Sequence, residues 1–95
     1  DRMVDCMEKY LPKAEFSVPK GAFYMFPDMS RYFERMDEET FANKLFERQK
    51  VVVIPGKYFG EQGKDHLRLT FVSEPGDRIE EGFERIAKFI KENKL

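Results

Sequence analysis

Arg68 is the residue of this chain best placed for selective chemistry. Leu67, Leu69 and Phe71 alternate with Arg68 and Thr70, the two-residue period of a strand with one face in a core. The pattern predicts a guanidinium held on the back of a rigid strand. A planar fork of N–H donors fixed in this way is suited to grip a carboxylate through two parallel hydrogen bonds. Spacing alone leaves the commoner fates of a strand arginine open: full solvation or an ordinary surface ion pair. Other candidates are weaker. Ser17, Ser30 and Ser73 stand in no base pattern, and His66 is the single imidazole, so a Ser-His-Asp triad rests on counting alone. His66 beside Asp65 allows a hydrogen-bonded pair, but a loop-edge histidine is the simpler reading. Gly56, Gly60 and Gly63 lack phosphate-loop spacing, and no Lys-Ser/Thr pair follows them. Their loop also leads into a strand, whereas a phosphate loop opens a helix. Lys57 and Lys64 in that loop read as solvated amines.

The elements that must position Arg68 lie on either side of it. Val51–Ile54 is an all-apolar, mostly β-branched run, as a buried strand requires. Pro55-Gly56 ends it. A loop of about a dozen residues follows, long for a plain hairpin, before Leu67–Val72 resumes as a strand. Upstream, residues 1–11 read as a helix with Met3, Val4, Met7, Tyr10 and Leu11 on one stripe, stopping before Pro12. Glu15–Val18 is a short strand, Val18 to Gly21 a turn preset by Pro19, and Ala22–Phe26 the return strand, apolar on both faces. Residues 28–36 form an irregular or short helical connection. Asp37 is a good N-cap for a helix reaching about Gln49, with Phe41, Ala42, Leu45 and Phe46 buried. After a break at Ser73-Glu74-Pro75, a last helix runs from about residue 76 to Glu92, its inner face Ile79, Phe83, Ile86, Ala87 and Ile90. The expected fold is α+β: a two-layer sandwich with a small, mostly antiparallel or mixed sheet of about four strands under about three helices. The strands flanking the Asp37–Gln49 helix are expected to run parallel through a right-handed crossover.

Composition narrows the function classes. The 95 residues make one domain, 41% hydrophobic and 37% charged, within the range of folded soluble chains. Acids and bases nearly balance at a net charge of −1, so no basic stripe points to nucleic acid. One Cys and one His exclude an internal disulfide and argue against a structural zinc site. The single thiol and the lack of a secretory pattern fit a reducing, cytoplasmic setting. No apolar run approaches the ~20 residues that span a bilayer. Ten Phe and four Tyr build a core first, with some left for a partner surface. The opening helix starts without an initiator Met or a clear cap, which is expected of a piece of a longer chain.

Three stretches, taken together, identify a family. Pro19-Lys20-Gly21-Ala22-Phe23-Tyr24-Met25-Phe26-Pro27 is the first. Val51-Val52-Val53-Ile54-Pro55-Gly56-Lys57-Tyr58-Phe59-Gly60 is the second. Gly63 with His66-Leu67-Arg68-Leu69-Thr70-Phe71 is the third. In this order and spacing the chain resembles the C-terminal small domain of class I/II, fold type I, pyridoxal-phosphate aminotransferases, the aspartate aminotransferase superfamily. The resemblance covers nearly the whole chain, 1–95. It implies a parent that moves an amino group between an amino acid and a 2-oxo acid. It gives Arg68 the substrate α-carboxylate, and it puts Tyr24, Phe59 and the Pro55-Gly56 turn near the cleft of a domain that closes over the active site. Substrate contact by Tyr24 and Phe59 competes with simple packing.

The resemblance also implies what this chain lacks. The Schiff-base lysine and the groups that hold pyridoxal 5'-phosphate belong to a large domain, so the parent carries the cofactor and the piece alone is expected to be inactive without it. The large domain is this domain's own partner and carries the parent's homodimer contacts. Amino-acid specificity stays open. So do two alternatives: a related fold type I lyase or synthase, and a free-standing α+β interaction module.

Overall fold

Asp37 sets the start of the best-defined element. In the computed structural model its carboxylate accepts the Thr40 N–H at 2.7 Å, satisfying a donor that the first helical turn leaves unpaired. Glu38 and Glu39 follow at the positive end of the helix. The helix runs Glu38–Gln49 and ends at Lys50, whose left-handed φ of 59° returns its N–H to the Phe46 carbonyl. The structure describes residues 2–16, 25–69 and 76–95. The 18–21 turn, Tyr24 with most of the 22–26 strand, the Thr70–Val72 strand end and the 73–75 break lie outside them.

Among the described residues there are three helices: α1 (Arg2–Tyr10), α2 (Glu38–Gln49) and α3 (Gly76–Glu92). α3 packs against both α1 and α2. Tyr10 ties the first pair together by donating its hydroxyl to Glu80 at 2.9 Å. Because α3 serves two neighbours, its buried face is wider than the expected stripe. Ile79, Phe83, Ile86 and Ile90 are buried as expected, but so is Phe89, while Ala87 is only half-buried. Phe89 meets Phe41 of α2 edge-to-face, centroids 5.1 Å apart, the arrangement that aromatic quadrupoles prefer. On α2, Phe41, Ala42 and Leu45 are buried, whereas Phe46, expected beside them, is 50% exposed. At 3.6 residues per turn Phe46 lies about a quarter-turn off the centre of that stripe.

The sheet is antiparallel. β1 (Ile54–Pro55) pairs with β2 (Leu67–Arg68) in the register Ile54 to Arg68 and Pro55 to Leu67. Single antiparallel bridges continue the pairing from Met25 to Leu69, Asp28 to His66 and Glu15 to Asp28. The expected strands at 15–18 and 22–26 thus appear, within the described residues, only as these bridges. Val51–Ile54 is corrected as well: strand pairing begins only at Ile54, and Val52 is 56% exposed between buried Val51 and Val53. That alternation means one face is open to solvent, so the run is not buried on both sides.

β2 lies between two neighbours. Leu67 and Leu69 donate their N–H groups to the Pro27 and Met25 carbonyls at 3.2 and 2.8 Å, while the His66 carbonyl accepts from Gly56 at 2.7 Å. Both flanking segments run antiparallel to β2, so they share a direction, as a connection through a helix allows. The architecture is α+β, with the core around Met7, Leu11, Met25, Phe41, Leu67 and Phe83, all at or below 1% exposure.

Candidate functional site

Arg68 emerges from β2 on the face opposite Leu67 and Leu69. Those two leucines are fully buried and Arg68 is partly so, which is the alternation that the strand period demands. Its Nε is shielded from solvent. Its guanidinium carbon sits 5.2 Å from the centroid of the Phe59 ring, within the reach of a cation–π contact.

Phe59 is carried by the loop between β1 and β2, and the local sequence explains the loop's shape. Residues Gly56–Phe59 and Glu61–Gly63 form two tight 3-10 turns joined at Gly60. Gly60 has φ 116° and ψ 171°, a conformation that a side chain tolerates poorly. Gly56 and Gly63 lie back to back. A Cβ on Gly56 would overlap the Gly63 carbonyl oxygen and come within 2.7 Å of the His66 Cβ. The glycines therefore fold the loop tightly enough to bring Phe59 back over Arg68. The loop is fixed from α2 as well. Glu38, 6% exposed, accepts the Lys57 N–H at 3.4 Å, and the Glu39 carboxylate pairs with the Lys57 ammonium at 2.5 Å. That ion pair holds Glu39 below the usual carboxylate range and Lys57 above the usual amine range.

Two further rings extend the surface. Phe26 meets Phe59 edge-to-face at 6.0 Å and stacks on His66 at 5.0 Å. His66 Nδ1 donates to the Lys64 carbonyl at 2.8 Å, since a carbonyl can only accept. His66, Phe26, Phe59 and Arg68 thus form one row of rings ending in a cation. Of the three site residues read from the sequence, Arg68 and Phe59 are brought together, and Tyr24 lies outside the described residues. Phe26 and His66 were not read as members of the site. Their adjacency follows from the Asp28–His66 bridge, a long-range pairing that local pattern does not reveal.

The arrangement is suited to a flat anion: a fork of donors aimed from a strand, with an apolar ring beside it. It does not suit the phosphate of a cofactor. The N–H groups of Gly56, Gly60 and Gly63 are spent on the His66, Lys57 and Gly60 carbonyls, so the loop offers no nest for an anion. Lys57 is held protonated by Glu39, the wrong state for a nucleophilic amine. Among the described residues there is no cluster of metal ligands, and no helix is long and apolar enough to cross a membrane.

A sequence model of the family described as aminotransferase class I and II matches residues 1–86. The chain is 36% identical over 86 residues to the aspartate aminotransferase of Pyrococcus horikoshii, covering 90% of this chain and 21% of that one. Its fold is similar to the crystal structure of an aromatic aminotransferase from the same organism, with a TM-score of 0.82, 26% identity, and coverage of 98% of this chain and 24% of that one. A C–S lyase from Staphylococcus hominis, solved with pyridoxal phosphate bound and complexed with L-cycloserine, is equally similar. Its TM-score is 0.82 at 26% identity, covering 96% of this chain and 24% of that chain. The chain therefore spans about a fifth to a quarter of the length of these proteins.

Proposed function

The chain belongs to the class I and II aminotransferase family, and from that premise we propose that it is the substrate-carboxylate-binding part of a pyridoxal-phosphate-dependent aminotransferase. The parent moves an amino group between an amino acid and a 2-oxo acid. Arg68 takes the α-carboxylate that both substrates share, so one residue serves both half-reactions. Phe59 sits against the guanidinium, limits its rotation and keeps water from one side of it. Closure of this domain over the active site orients the substrate and excludes solvent.

The observation that carries the reading is the pairing of a strand-mounted Arg68 with a loop-mounted Phe59 at 5.2 Å. The loop's shape depends on Gly56 and Gly63, two glycines of the same family pattern. The described residues do not fit pyridoxal phosphate, because the loop N–H groups are consumed and Lys57 is paired. The cofactor and its lysine are supplied by the remainder of the parent, which also carries the homodimer contacts, and this chain alone does not transaminate. The lone buried thiol, Cys6, fits a cytoplasmic parent.

Arg68→Lys in the full-length parent tests the assignment. Lysine keeps the charge and loses the planar fork, so kcat/KM for the amino donor should fall by about 10- to 100-fold, the range expected for a lost charge-assisted hydrogen bond. Unchanged kinetics reject the role. A second reading, a C–S lyase, is supported by the equal fold similarity to the staphylococcal enzyme. Product analysis separates the two: a transaminase makes a new amino acid from an added 2-oxo acid, and a lyase releases a thiol, ammonia and a 2-oxo acid without one.

A further inference from the structure

Away from Arg68, three remote parts of the chain converge on a concavity of about 320 Å³. Lys13 follows α1, Arg31 and Arg35 lie on the turn and bend before α2, and Lys94 lies just past α3. We infer that this concavity is a binding site for a small phosphate-class polyanion, held by Lys13, Arg31, Arg35 and Lys94 together with the Tyr32 hydroxyl.

Charge makes the first part of the argument. The whole chain has 17 basic and 18 acidic side chains, so its surface is nearly balanced. Here four cationic side chains share a lining with one acidic side chain, Glu34. None of the four forms an ion pair among the described residues, whereas Lys9, Lys57 and Arg85 each do. All four are exposed, so their mutual repulsion is weak in water, but together they raise the local attraction for an anion. Phosphate chemistry matches the donor count. Two guanidinium forks and two ammonium groups offer more donors than one carboxylate can accept, while a phosphate or pyrophosphate has oxygens for all of them.

Tyr32 makes the second part. It is 3% exposed, yet it lines the hollow. Its oxygen accepts the Lys13 N–H at 3.0 Å, which leaves its own proton to donate. Burial pushes its ionisation upward, so it remains a donor at neutral pH. The Lys13 ammonium lies 5.7 Å from the centre of the same ring. A buried phenol thus fixes the Lys13 backbone by a hydrogen bond and lies beside its ammonium at the edge of the site. The inference does not rest on the proposed aminotransferase role.

The test is calorimetric titration of pyrophosphate into the full-length protein containing this chain. Ionic strength is held constant with chloride, and pyridoxal phosphate is present at saturation so that any cofactor phosphate position is filled. One saturable site per chain is expected. Arg31→Gln/Arg35→Gln, both at exposed positions, should weaken it by about tenfold or more, the loss expected for charge-assisted hydrogen bonds. Lys13→Gln should weaken it less, and Arg68→Lys should leave it unchanged. Three results overturn the inference: no saturable heat, equal affinity in the double variant, or loss of binding in Arg68→Lys alone.

Discussion

The guanidinium of Arg68 lies over the ring of Phe59, with 5.2 Å between the guanidinium carbon and the ring centroid. The two residues come from elements built on different physics. Arg68 is placed by the period of a strand whose other face is fully buried, and Phe59 by a loop that only glycine can fold. Under the proposed role, the cation is aligned before substrate arrives, which lowers the ordering cost of binding.

Phe59 is accordingly expected to tune Arg68. Phe59→Leu keeps an apolar side chain and removes the ring quadrupole. In the full-length enzyme it should raise KM by about threefold to tenfold, the scale of a partly exposed cation–π contact, with kcat changed less. Phe59→Tyr should be near wild type. Steady-state kinetics on the two variants decide this, and equal KM values in Phe59→Leu and wild type contradict the contact's role.

Loop stability should depend sharply on which glycine is changed. Gly56→Ala drives a Cβ into the Gly63 carbonyl and the His66 side chain, and backbone cannot yield cheaply. Because the clash is mainly with backbone, a loss of about 3 kcal/mol or more is expected, the upper end of overpacking. At Gly60 there is open space but φ is 116° and ψ 171°, so Gly60→Ala meets no overlap and costs only backbone strain, roughly 1–3 kcal/mol. Chemical denaturation of both variants should rank them in that order, and a Gly60 variant less stable than the Gly56 variant contradicts it.

How much of this was legible beforehand differs from residue to residue. Asp37 and the helix it caps were legible because capping is local: the side chain reaches only to Thr40. The inward and outward alternation at 67–69 was legible because a strand has a period of two. Phe46, Val52 and Phe89 were misjudged or missed because their exposure depends on which neighbour packs where, and α3 serves two helices at once. The contact of Arg68 with Phe59 was not legible in geometry. It needs the two 3-10 turns, which spacing of apolar residues does not encode. Tyr24, read as a site residue, lies outside the described residues.

Acid stability should follow the capped and paired carboxylates. Asp37 is held below its ordinary 3.8 chiefly by the Thr40 N–H, Asp28 below 3.8 chiefly by the Ser30 N–H, and Glu39 below 4.5 chiefly by Lys57. A folded-state pKa lowered in this way stabilises above the unfolded value, and the gain is lost as pH falls through the folded value. Stability should therefore hold from neutral pH to the ordinary carboxylate range and decline below it. Asp37→Ala should be less stable at pH 7, and its deficit should shrink on acidification below pH 3.8. Urea midpoints measured from pH 7 to pH 2.5 check this, and a constant deficit across that range contradicts it.

The most direct measurement is the kinetics of Arg68→Lys in the full-length enzyme, with an amino acid and its decarboxylated amine compared as amino donors. If Arg68 grips the α-carboxylate, the variant loses about 10- to 100-fold in kcat/KM for the amino acid and almost nothing for the amine. Equal losses for both donors, or none for either, would contradict the assignment.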